Sequence, residues 1–102
     1  MVHYRLCAFA DEADPALEGQ IRAMRDNGIG LLEMRGVNGK NVSHLTPAEA
    51  REVKNILDSA DIRVFSLGSP AGKTDIHDSF DKEKEQFLRL LETADIVGAE
   101  CI

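Results

Sequence analysis

The stretch Ile62–Thr74, IRVFSLGSPAGKT, decides how the rest of the chain is read. Ile62 to Leu67 reads as a buried strand, and it runs into a loop holding two glycines, a proline and a lysine. A strand feeding a glycine loop is how α/β proteins bring backbone N–H groups and a cation to an anionic ligand. The loop is not a nucleotide-binding P-loop. That motif needs four residues between its first glycine and Gly-Lys-Thr, and only Ser69, Pro70 and Ala71 separate Gly68 from Gly72. Its lysine would also open a helix at once, whereas Asp75, Ile76, His77 and Asp78 follow as a polar connection. The stretch predicts a strand with a ligand loop at its carboxyl end.

Working outward, the segment before it starts at Thr46-Pro47-Ala48-Glu49, a capping box with proline at the first helical position. Val53, Ile56, Leu57 and Ala60 follow as the expected buried face. Asp61 then stands where a glycine often ends such a helix. Further upstream, Ile29 to Arg35 is a strand of uneven composition. Leu32 and Met34 point one way, and Leu31, Glu33 and Arg35 the other. Charges on a covered strand are costly unless paired or solvated. Either Glu33 and Arg35 meet each other or lie at a solvated end, or both stand at the carboxyl end of a parallel strand, where α/β folds build their sites. The Gly36–Leu45 segment reads as a polar loop.

At the N-terminus, His3 to Ala10 is a strand candidate running into Asp11-Glu12-Ala13-Asp14. Those letters spell a helicase box, yet no phosphate loop precedes it. Asp14 is better read as an N-cap with Pro15 at the first helical position, ahead of a stripe of Leu17, Ile21 and Met24 that ends at Asn27-Gly28. Downstream, Ser79 or Asp81 starts a third helix. Phe80, Phe87, Leu91 and Ala94 form its predicted stripe, with Leu90 and Val97 beside them, and Gly98 closes it. Ala99 to Ile102 has the pattern of a fourth strand beginning.

Four strands alternating with three helices predict successive βαβ units and a parallel sheet, an α/β fold. The 102 residues, 43% hydrophobic and 29% charged, suit one globular domain of ordinary composition. A net charge of −6 argues against a nucleic-acid partner. No apolar run reaches the roughly 20 residues of a membrane span, and no signal peptide opens the chain, so the expected location is cytoplasmic. Cys7 and Cys101 are expected as buried thiols. His3, His44 and His77 lack the spacing of a helical metal site, although His44 and His77 lie in loops on the presumed ligand side with Glu33.

Three blocks carry a resemblance. Phe9-Ala10-Asp11-Glu12 follows the first strand, Leu32-Glu33-Met34-Arg35-Gly36-Val37-Asn38-Gly39-Lys40-Asn41-Val42 spans the end of the second, and Gly68-Ser69-Pro70-Ala71-Gly72-Lys73 follows the third. Together they resemble the sugar phosphate isomerase/epimerase family, xylose isomerase-like TIM barrels related in fold to endonuclease IV. The resemblance implies that residues 1–102 are a single partial domain: the first three βα units and the start of the fourth strand of an eight-unit (βα)8 barrel. It implies a sugar or sugar phosphate substrate and proton transfer next to a carbonyl through an enediolate. A divalent metal would assist in the full-length parent, with none expected on this chain. The catalytic carboxylates would lie beyond Ile102. The substrate-side residues carried over are Glu33, Arg35, Ser69 and Lys73.

On this reading the chain alone is inactive and self-associates through the surfaces a barrel would cover. The competing expectation is a small non-catalytic α/β module that binds a ligand or a partner. An endonuclease-like role in DNA repair shares the fold but conflicts with the negative charge.

Overall fold

Parallel strands require a crossover, and each crossover in this chain is a helix. In the computed structural model the order is β1 (Cys7–Ala8), α1 (Leu17–Asp26), β2 (Leu31–Met34), a hairpin of β3 (Gly36–Val37) and β4 (Lys40–Asn41), α2 (Pro47–Ser59), β5 (Arg63–Leu67) and α3 (Phe80–Val97). β1, β2 and β5 form a parallel sheet in that spatial order, and Cys101 adds one further parallel bridge, to Ser66. Right-handed crossovers that advance in one direction put all the helices on one face of a sheet. The α/β class and the alternation of βα units follow the sequence reading.

The covered face is apolar because the strand alternates. Leu32 and Met34 are buried with Val64 and Leu67, joined in one cluster by Leu17, Ile21 and Met24 of α1, Val53 and Leu57 of α2, and Leu90 and Val97 of α3. On the opposite side of β2, Leu31 and Glu33 stay partly accessible. The register slips once. Leu32 pairs with Val64 but Glu33 with Ser66, leaving Phe65 as an extra residue on β5. That bulge breaks the two-residue period, so Val64 and Leu67, three positions apart, both reach the covered face.

The helix ends follow their chemistry. Thr46 and Glu49 form the complete capping box, with Pro47 in the first turn. Asp61 takes a left-handed backbone at φ +57°, and Gly98 closes α3 at φ +76°.

Several expectations need correction. β1 is two residues long, and Tyr4 and Leu6 before it are exposed. Asp14 does not cap α1. Its carboxylate accepts from the Ala16 N–H, and the helix starts two residues later than expected, with Asn38 Oδ1 accepting from the Leu17 N–H at 2.9 Å. The buried stripe of α3 is Leu90, Thr93, Ala94 and Val97, while Phe80, Phe87 and Leu91 are exposed, as is Ile56 of α2. The sequence stripe followed the aromatic residues, but α3 turns its smaller side chains inward against α2. Both cysteines are exposed, because the sheet face and edge they occupy carry no covering layer. The segment after β2 is no plain polar loop: Val37, Val42 and Leu45 are buried in it.

No helix is long and apolar enough to cross a membrane.

Candidate functional site

Parallel strands deliver their carboxyl ends to one side of the sheet, so the segments leaving β1, β2 and β5 meet there. After β1 the chain turns through a short 3-10 helix, Ala10–Glu12, which presents Asp11 and Glu12 beside the end of β2. Arg35 leaves β2 into that space. Its Nε and Nη2 donate to the two Asp11 oxygens at 2.8 and 3.0 Å, its Nη2 lies 3.5 Å from Glu12 Oε1, and the guanidinium carbon sits 4.7 Å from the centre of the Phe9 ring. This is a two-pronged carboxylate clamp with an aromatic ring on the guanidinium face. Asp11 holds the Arg35 proton more firmly than usual, first by hydrogen bonding, with Glu12 adding to the effect.

Gly68, at the end of β5, completes the junction. A Cβ there would lie 3.1 Å from Arg35 Cβ and 3.2 Å from Phe9 Cε1, so the third strand end packs tightly on this cluster and a side chain would require its neighbours to shift. The Gly68 N–H donates to the Met34 carbonyl at 2.8 Å, fixing the two ends together.

On the other side of Arg35 lies a recess of about 360 Å³, walled by Asp11, Arg35, Gly36, Gly39, Lys40 and Asn41, among others. Its second cation, Lys40, is also taken: Nζ lies 2.8 and 3.0 Å from the two Glu49 oxygens. Lys40 and then Thr46 hold the Glu49 carboxyl below its ordinary value. The hairpin wall is tied from behind. The buried Gln20 side chain donates to the Gly36 carbonyl at 2.9 Å, and Asn38 N–H donates to the Pro15 carbonyl at 2.7 Å. Ser43 Oγ donates to Asn41 Oδ1 and accepts from Gln86 Nε2 at 3.1 Å, joining this loop to α3.

Of the residues expected at the site, Arg35 is at its centre, but its partner is Asp11 and not Glu33. Glu33 stays on the uncovered face of β2, where, after partial desolvation, it helps push the Cys7 thiol above its ordinary value. Ser69 and Lys73 lie in the loop after β5, Ser69 half-buried and Lys73 exposed, and neither bonds to Arg35 or Asp11. Ser69 Oγ accepts from the Ala71 N–H, and Gly72 N–H donates to Glu83 at the start of α3, drawing the loop toward that helix. Nothing in the local spacing marks Asp11 or Phe9 as a partner of Arg35, 24 and 26 positions further along the chain. The signal was indirect, an arginine ending a strand whose only other charge is Glu33.

No three His, Cys, Asp or Glu side chains come close enough to hold a metal ion, so His44, His77 and Glu33 do not assemble into a site. The divalent ion implied by the resemblance therefore has no ligand set among these residues. Compared with models of known families, with curated proteins and with solved structures, the chain matches none.

Proposed function

We propose that the chain is the N-terminal part of a xylose isomerase-like TIM barrel, a cytoplasmic sugar or sugar phosphate isomerase or epimerase, and supplies part of its substrate rim. The observation that carries this reading is the meeting of Phe9, Arg35 and Gly68, one from each parallel strand end, at the side of the sheet where such barrels act. Glu33, Ser69 and Lys73 complete the rim, and proton transfer next to the sugar carbonyl falls to carboxylates on later strands.

The surface supports a missing cover. The chain exposes 6727 Å², against about 5,700 Å² for a folded monomer of this mass. The excess, on the order of 1,000 Å², is comparable to one partner's share of a standard interface, about 800 Å². Self-association of the chain by itself belongs to the same proposal, and sedimentation over a wide concentration range tests it.

The main test is the intact mass of the native gene product, followed by isomerase assays on it. A barrel of roughly 250 residues, whose KM for a sugar rises on Arg35→Ala and on Lys73→Ala, is the expected result. Unchanged kinetics in both variants would remove the rim from the reading. A native product of 11.2 kDa would favour the non-catalytic binding module.

A further inference from the structure

We infer that the outer flank of α3 pairs with the same flank of a second copy of the chain, the two helices running antiparallel. The inference rests on the self-association proposed above, which it assigns to one face and one direction, and not on the sugar chemistry.

α3 carries more apolar surface than its own core uses. Leu90, Thr93, Ala94 and Val97 face inward, yet Phe80, Phe87, Leu88 and Leu91 are exposed and stand outside the core cluster. At about 100° per residue, Lys84, Leu88, Leu91 and Asp95 fall in one narrow row beside the buried stripe. Their spacing, alternately four and three residues, is that of a seam between two helices. All four are exposed. Phe80 and Phe87 lie between this row and the buried stripe, so the apolar surface runs on from core to seam.

The charges at the two ends of the row identify the occupant. Lys84 and Asp95 make no ion pair within the chain, and roughly 16 Å of helix keeps them from each other. Turned antiparallel about a two-fold axis between Arg89 and Leu90, a second copy sets its Leu91 against Leu88 and its Asp95 against Lys84. Two leucine layers then form at the centre and one acid–base layer at each end. A parallel pair would set lysine on lysine and aspartate on aspartate, so the row selects a direction as well as a partner. A two-fold interface requires this kind of self-complementary surface. Glu85 and Glu92, at the outer margin, would oppose each other across the seam and keep the dimer weak.

The test is sedimentation equilibrium of the 102-residue chain from about 10 μM to about 1 mM, the range of weak dimers, with two variants, Lys84→Glu and Asp95→Lys. Each new charge suits its end of the helix, acid toward the N-terminus and base toward the C-terminus, so the fold should stand in both. Each variant alone should dimerise roughly tenfold more weakly, because two exposed pairs turn from attraction to repulsion. Asp95→Lys does so while reducing the net charge of −6 in magnitude, which separates the seam from general repulsion. Mixed in equal amounts, the two variants should form a heterodimer within about threefold of the original affinity, since every charged contact between them is again acid on base. A chain monomeric at every concentration would overturn the inference together with the self-association above. A dimer indifferent to both variants would overturn this face and leave that self-association to other surfaces. Weakened variants that do not recover on mixing would overturn the antiparallel register.

Discussion

The connections leaving β2 and β5 are of similar length and both sit at the strand ends, yet they are built by opposite means. The segment after β2 buries Val37, Val42 and Leu45, forms a hairpin, and is tied to α1 by Gln20 and to α3 by Gln86. The segment after β5, from Gly68 to Ser79, buries no side chain, and Ile76 at its middle is 92% exposed. The first is part of the core and can act as a fixed wall. The second holds its shape by short turn contacts within Ser69–Asp78 and by one bond from Gly72 to Glu83. Fixed walls suit recognition by shape, and loosely tied loops suit approach and release of a ligand.

The contrast breaks most sharply under truncation of apolar side chains. Val42→Ala should cost about 2 kcal/mol of folding free energy, the scale of a fully buried valine, whereas Ile76→Ala should stay within about 0.5 kcal/mol of the unaltered chain. Urea denaturation of both variants measures the difference, and equal midpoints would erase it.

The caps that follow the two loops give a smaller effect. Thr46 is reciprocally bonded to Glu49, while Ser79 accepts a single 3.4 Å bond from the Lys82 N–H. Thr46→Ala should cost about 1 kcal/mol and Ser79→Ala about half of that.

Smallest of all is the acid dependence of the first cap. Lys40 and Thr46 lower the Glu49 pKa in the folded chain. Its contribution is thus complete above the ordinary glutamate value of about 4.3 and is lost as pH falls through the lower folded value. Denaturation midpoints between about pH 5 and 3 should fall less steeply for Glu49→Gln than for the unaltered chain. Parallel slopes would show the carboxylate to be indifferent.

How legible each part was in the sequence depends on how locally it is determined. The Thr46–Glu49 box, the left-handed closures at Asp61 and Gly98, and the inward pair Leu32 and Met34 could all be read, because each is set by a few neighbours along the chain. The face of α3 could be read only in part: Leu90, Ala94 and Val97 are buried as expected, but Phe80, Phe87 and Leu91 are not. Phe80, Phe87 and Leu91 make as good a helical stripe as Leu90, Ala94 and Val97, and only packing against α2 chooses between them. The Arg35–Asp11 clamp was equally hidden. Asp11 sits in a run of four residues with three acidic groups, and only the pair of hydrogen bonds from Arg35 distinguishes it from Glu12 and Asp14. The wall behind the recess was missed because its glycines and polar residues masked three buried apolar positions.

The start of α1 carries a consequence for the order of events as the chain is made. The Leu17 N–H has its acceptor on Asn38, and the Asn38 N–H returns to Pro15. A helix of 10 residues is too short to persist on its own in water. Its opening turn is sealed only when a residue 21 positions later has been synthesised and the hairpin has turned back. The first helix of the chain therefore cannot mature as a separate early event. It becomes a late beneficiary of its own downstream neighbour, and a ribosome-bound chain that stops short of Asn38 should lack a protected amide at Leu17.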